Sequence, residues 1–169
     1  MPTSDDVRIS PAGPDDAAVI DCVLRASYPA LLAPAYEPEL LARALPLMTR
    51  VNPRLLETGT YYLAMVGGQA VGCGGWSFKA PGRRNVEPGV GHIRHFATAA
   101  GWTRIGVGRK LYDRCEAAAR ETGVREFHCF SSLNGEAFYA RLGFLSVRRI
   151  DVPMGPDLRF PSVHMRREI

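Results

Sequence analysis

The sequence predicts an α/β (α+β) fold: a mixed, mostly antiparallel sheet of about seven strands flanked by about four helices, in a single domain spanning residues 1–169. Three observations carry this. Short β-rich runs recur at hairpin spacing. Two long stretches instead place apolar residues at helical spacing beside proline or glycine punctuation. A content of 46% hydrophobic and 22% charged residues over 169 positions suits one core of ordinary size.

In chain order, Val7-Arg8-Ile9 alternates and then meets Pro11, Gly13 and Pro14, which predicts a short strand and a turn. Pro14-Asp15-Asp16 opens a helix, because proline suits the first helical position and acids suit the positive end of the dipole. Val19, Val23 and Ala26 follow on one face. Pro29, Pro34, Pro38 and Pro46 then interrupt the chain, predicting a loop around Pro29 to Pro38 and a second helix from Glu37 onward. From Thr60 the texture becomes β-type: TYYLAMV, Gly67-Gly68 and QAVGCGGWSF read as a hairpin. Pro81 to Pro88 is a polar loop, and GVGHIRHFAT a further strand. From about Gly106 to Glu121, Val107, Leu111, Cys115 and Ala118 form the stripe of a long helix that Gly123 stops. A strand near REFHCF, a short helix from Asn134 to Leu142, a strand at FLSVRRI and a last strand in LRFPSVHMRREI, with Pro161 at an edge or bulge, complete the order.

Composition excludes several classes. The net charge of +4 is spread along the chain in short pairs such as Arg83-Arg84, so no nucleic-acid footprint is expected, though the balance is compatible with an anionic ligand. No apolar run approaches the ~20 residues of a membrane span, and Asp5 and Asp6 stand where a signal peptide carries cations. A cytoplasmic protein is the expectation, and a homodimer is compatible with it. Cys22, Cys73, Cys115 and Cys129 form no C-x-x-C pair and lie in apolar surroundings, which predicts buried, reduced thiols.

The stretch from Trp102 to Leu111 leaves a strand, passes Gly106-Val107-Gly108 and enters a helix. The first amides of a helix have no internal partner, and glycine lets a phosphate approach the backbone, so this turn is an anion site. Arg104, Arg109 and Lys110 crowd the positive end of the dipole, which a bound anion would make favourable. Two glycines also suffice for a plain tight turn. Leu111 stands where a dinucleotide fingerprint needs its third glycine, and no triphosphate P-loop string occurs, so NAD and nucleotide triphosphates are poor candidates.

Thr103-Arg104-Ile105-Gly106-Val107-Gly108, the strand HIRHFAT before it and N-G-E-A-F-Y-A-R-L-G-F after it resemble the GNAT superfamily over roughly residues 89–147. Its pyrophosphate loop reads [RQ]-x-x-G-x-[GA]; here Thr103 replaces the first residue, which matters little where backbone amides make the contact. The resemblance implies acetyl-CoA as cofactor and an amine acceptor. It implies that Phe96, Ala97 and Thr98 hold the pantetheine arm as an added strand, the Thr98 amide steadying the oxyanion, with Arg109 near the phosphates. It also implies that Tyr139, before L-G-F, protonates the leaving thiolate beside Phe138. Many members carry an asparagine seven residues before that tyrosine; here Ser132 holds the position and Asn134 is only five before it.

Period two places His92, Arg94, Phe96 and Thr98 on one strand face. His92 falls where some members carry a base acting directly or through water, and an imidazole of pKa ~6.5 suits that task; a lone strand histidine is more often structural. Arg94 is a candidate for orienting an acidic group of the substrate. His95 faces the other side, so His92 and His95 make no metal pair, and no metal is expected. Asn134 is a good N-cap, with Leu133 and Phe138 at the spacing of a hydrophobic staple. The acceptor site is expected around Tyr28 to Tyr36 and Arg83 to Pro88. Direct acetyl transfer to an amine is the function expected; the alternative is a non-catalytic acyl-CoA-binding or sensor domain.

Overall fold

The computed structural model describes residues 1–169. Its strands are β1 (Arg8–Pro11), β2 (Tyr61–Val66), β3 (Gln69–Ser77), β4 (Val90–Thr98), β5 (Glu126–Ser132), β6 (Leu145–Pro153) and β7 (Arg159–Glu168). They form one sheet in the order β1-β2-β3-β4-β5-β7-β6. Only the β4–β5 pair is parallel. The helices are α1 (Ala17–Leu32), α2 (Pro38–Met48), α3 (Pro53–Leu56), α4 (Val107–Glu121) and α5 (Glu136–Arg141). The seven-stranded mixed sheet is the one expected. The additional helix, α3, is a single turn capped by the Asn52 side chain, which accepts from the Arg54 amide at 3.0 Å, with Pro53 in its first position.

Both faces of the sheet are covered. Val107, Leu111, Tyr112 and Cys115 of α4 bury against Trp76, Ile93 and Phe127 on one side. Ile20 and Leu24 of α1 and Leu55 of α3 bury against Tyr61, Leu63 and Cys73 on the other. Each such large apolar side chain contributes roughly 1.5–3 kcal/mol by leaving water. A smaller cluster, including Leu32, Tyr36, Leu41 and Phe160, ties the α1–α2 connection to the start of β7.

Three local expectations are corrected. α1 runs through Pro29 to Leu32, and α2 contains Pro46; Pro29 deprives the Arg25 carbonyl of its helical donor, but both residues are exposed and water can replace it. The strand containing Pro161 lies inside the sheet, with β6 as the edge. Pro161 is tolerated because β5 ends at the Ser132–Ser162 pair, leaving only β6 beside it. Cys22 is exposed, whereas Cys73, Cys115 and Cys129 are buried and free. No helix is long and apolar enough to cross a membrane.

Candidate functional site

β4 and β5 pair only through Val90, Gly91 and His92 opposite Glu126, Phe127 and His128, and then part. On the far side of β4 the Ala99 amide donates to the Val71 carbonyl at 2.9 Å. Antiparallel alternation therefore directs the backbone of Ala97 toward β3 and the N–H groups of Phe96 and Thr98 into the gap between the parted strands. Strand edges of this kind accept an extended chain as an added strand.

β4 is not regular. His95 has φ of 48°, and the register with β3 shifts between Cys73 and Gly75. This bulge overturns the expectation that His92, Arg94, Phe96 and Thr98 share one face, because one extra residue inverts the phase of all that follow. Ile93 belongs to the α4-side core, so His92 and Arg94 face the α1 side. Arg94 Nη1 there donates to Ser77 Oγ at 3.0 Å and to the Lys79 carbonyl at 3.3 Å. Phe96 packs on the α4-side core beside Tyr139, ring centroids 6.4 Å apart, while Ala97 is buried on the α1 side. Two tyrosines hold the bulge: Tyr61 Oη donates to the His95 carbonyl at 2.8 Å and Tyr28 Oη to the Phe96 carbonyl at 3.1 Å. Tyr28, expected to touch substrate, spends its hydroxyl on this backbone.

The turn into α4 has the geometry expected of it. Gly106 is its N-cap at φ 86°, a left-handed torsion that favours glycine, and Arg104 precedes it at φ 67°. The Lys110 amide donates to the Gly106 carbonyl at 3.0 Å, so the amides of Val107, Gly108 and Arg109 come before the helical ladder and are free for an anion. Thr103 Oγ1 donates to the Ala100 carbonyl at 3.4 Å, and Ile105 anchors the turn in the core. Gly108 has a further reason to be glycine: a Cβ there would lie 2.9 Å from the Phe138 ring. Two cations of this turn have partners of their own, Arg109 with Asp113 at 3.4 Å and Lys110 Nζ with the Val7 carbonyl at 3.2 Å.

Ser132 ends β5 at the rim of the gap. A 3-10 turn over Leu133–Gly135 follows, and Gly135 rather than Asn134 caps α5. Asn134 Nδ2 instead donates to the Leu31 carbonyl at 2.7 Å, fastening the end of α1, which corrects its reading as an N-cap. The Leu133 amide donates to Tyr36 Oη at 2.8 Å, and Tyr36 Oη donates to the Pro161 carbonyl at 2.7 Å while its ring stacks on Phe160. Tyr36 is thus a buried brace with its hydroxyl fully engaged, not the open substrate contact expected. Tyr139 packs among Phe96, Phe138 and Phe144. Burial raises its hydroxyl well above the pKa of a free phenol, so it carries its proton at neutral pH.

On the α1 side the fork bears a row of histidines. The His92 and His128 ring centroids are 5.8 Å apart, and those of His128 and His164 are 5.0 Å apart and stacked. His128 Nδ1 and His164 Nε2 stand 2.7 Å from each other, and His128 Nε2 stands 2.5 Å from Glu126 Oε1. Burial, then repulsion from His128 and Arg94, pulls His92 down to about 4, a weaker base than its ordinary value implies. Sequence reasoning missed Glu126, His128 and His164. The alternation E-F-H could have paired the first two on one face, but His164 is 36 positions further on and meets them only through the β5–β7 ladder.

The strand edges and free helix amides fit acetyl-CoA, whose pantetheine is extended and whose pyrophosphate is anionic. The acetyltransferase (GNAT) family matches residues 24–144. No curated protein matches the chain by sequence. Among solved structures, a GCN5-related N-acetyltransferase of Rhodopseudomonas palustris is 23% identical with a TM-score of 0.76, over 100% of this chain and 98% of that one. The PaiA N-acetyltransferase of Thermoplasma acidophilum, in complex with coenzyme A, is 15% identical with a TM-score of 0.71, over 96% and 99%. The ribosomal-protein-S18-alanine N-acetyltransferase of Escherichia coli is 14% identical with a TM-score of 0.64, over 96% and 94%. These likenesses are of fold. With a match over most of its length, a forked β4–β5 pair and a glycine turn at the head of α4, this chain belongs to the acetyltransferase (GNAT) family, whose cofactor is acetyl-CoA.

Proposed function

We propose that the protein transfers an acetyl group from acetyl-CoA directly to an amine, in the cytoplasm. One observation carries the reading: the β4 edge exposed by the fork leads from the free amides of α4 past Thr98 to Phe96, whose ring stands beside that of Tyr139. Acetyl-CoA supplies a thioester already activated toward nucleophiles. The amides of Val107, Gly108 and Arg109, with Thr103, Arg104, Ile105 and Gly106 shaping the turn, hold the pyrophosphate. Phe96 and Thr98 bind the pantetheine arm edge to edge, positioned by the buried Ala97 and bordered by Ser132 and Phe138. The Thr98 amide donates to the carbonyl oxygen as negative charge gathers there, the kind of contact that commonly contributes most to acyl transfer. Tyr139, neutral and buried, donates to the departing sulfur. His92, uncharged at neutral pH, borders the side from which the amine comes, where Arg94 can meet an acidic group of the substrate.

The test joins binding to turnover. Acetyl-CoA should raise the melting temperature, with ~2.7 kcal/mol added at 100 times its dissociation constant. A panel of amino acids, small amines, and peptides with free N-termini or lysines should then contain an acceptor that releases CoA thiol. A melt shifted by ATP or NAD and unmoved by acetyl-CoA overturns the cofactor assignment. A strong acetyl-CoA shift with no turnover on any amine points to the binding or sensor domain instead.

A further inference from the structure

We propose that Glu126, His128 and His164 form a proton relay beside the fork, in which His164 Nδ1 is the atom that takes the proton from the acceptor ammonium. The proposal rests on the acetyl-transfer reading and deepens it. The hydrogens along the row are fixed one by one from its carboxylate end. Arg166 Nη1 lies 3.3 Å from Glu126 Oε2 and pairs with the carboxylate, leaving Oε1 to face His128 Nε2 at 2.5 Å. A carboxylate only accepts, so His128 carries its hydrogen on Nε2. A neutral imidazole has one N–H, so His128 Nδ1 is an acceptor, and its partner 2.7 Å away, His164 Nε2, must donate. His164 Nδ1 is then left with a bare lone pair. Each ring fixes the tautomer of the next, as an oriented base is fixed by a third group in nucleophilic enzymes.

The face is the right one. His164 lies on the α1 side of the sheet, where His92 and Arg94 point, on the strand beside the β5 arm of the fork, with Phe130 edge-on at 5.5 Å. From an amine at the fork the proton would reach this ring across β5 through water or an acceptor hydroxyl. Burial, His128, Arg148 and Arg166 hold His164 below the ordinary imidazole value, so it rests neutral and ready to accept, while Glu126 acts the other way and favours the charged ring. The groups facing it are His92 on β4, Glu126 and His128 on β5, Arg148 on β6 and Arg166 on β7. In the step itself an N–H bond of the ammonium breaks as the His164 Nδ1–H bond forms. The amine keeps the electron pair with which it attacks, and the positive charge on His164 is shared toward Glu126 through His128. Half-buried His164 then returns the proton to water.

The experiment measures kcat/KM for an acceptor amine against pH in the wild type, His164→Gln, His164→Phe and Glu126→Gln, with acetyl-CoA melting shifts as the check on folding. His164→Phe and His164→Gln should each lose about 100-fold and drop the acidic limb of the profile that His164 causes. Glu126→Gln should lose less and move that limb to lower pH, because it removes the charge that favours protonated His164. Ring nitrogen-15 shifts at neutral pH should show His164 protonated on Nε2 and His128 on Nε2. A wild type that acetylates amines, beside folded variants with unchanged rates and profiles, overturns the relay and leaves acetyl transfer standing; so do ring spectra showing His164 protonated on Nδ1. A wild type that acetylates no amine overturns acetyl transfer, and the relay with it.

Discussion

The two faces of the β4–β5 fork are built from different kinds of material. On the α4 side the proposed cofactor surface comes from two short continuous stretches, residues 96–109 and 132–139, and would work largely through backbone amides set by the bulge at His95 and the turn at Gly106. On the α1 side the proposed acceptor surface takes single side chains from separate strands, Ser77, His92, Arg94, His128 and His164, held in mutual register by the sheet. A backbone site survives most side-chain changes but not a change of torsion or close approach. A side-chain site survives neither the loss of a partner nor a slip of register.

The sharpest break of this contrast is expected at Gly108. Gly108→Asp sets a carboxylate among the free amides of α4 and a Cβ against Phe138, and should abolish the acetyl-CoA melting shift. Gly108→Ala separates the two causes. If contact with Phe138 is what demands glycine, alanine lowers stability by about 1–3 kcal/mol and spares binding; if phosphate approach demands it, affinity falls as well. An unchanged affinity in a folded Gly108→Asp removes the residue from the site.

Tyr139→Phe comes next, because Tyr139 is the one side chain on the α4 side given a chemical task. Loss of the hydroxyl should leave acetyl-CoA binding intact and slow single-turnover transfer by about 100-fold, the low end for a positioned acid, since a thiolate needs less help than an alkoxide. Equal rates in the chemical step make Tyr139 a packing residue and the α4 side a purely backbone site.

The smallest effect on catalysis is expected at Tyr36. Tyr36→Phe strands the Leu133 amide and the Pro161 carbonyl and should cost about 1–3 kcal/mol in stability without changing KM for the amine. A raised KM at unchanged stability would restore Tyr36 to the acceptor surface and enlarge that face.

What the sequence determined by itself was local. The hairpin at Gly67-Gly68, the start of α4 at the glycine turn and the α4 stripe were legible because turn torsions, capping and helical period act between residues a few positions apart. The reading of Gly106-Val107-Gly108 as an anion-binding turn rests on the same kind of short-range signal. What only the tertiary structure decided was phase and pairing. The bulge at His95 moved Phe96 to the face opposite His92, although H-I-R-H-F carries no proline or glycine to announce it; the cause lies in the register with β3 and in the hydroxyls of Tyr28 and Tyr61, which hold the bulge carbonyls. Tyr36 and Asn134 became fastenings because the ends of α1, β5 and β7 converge there. Glu126, His128 and His164 became a unit only when β7 entered the sheet between β5 and β6. Contacts between residues far apart in the chain depend on how separate elements dock, and no local periodicity encodes that docking.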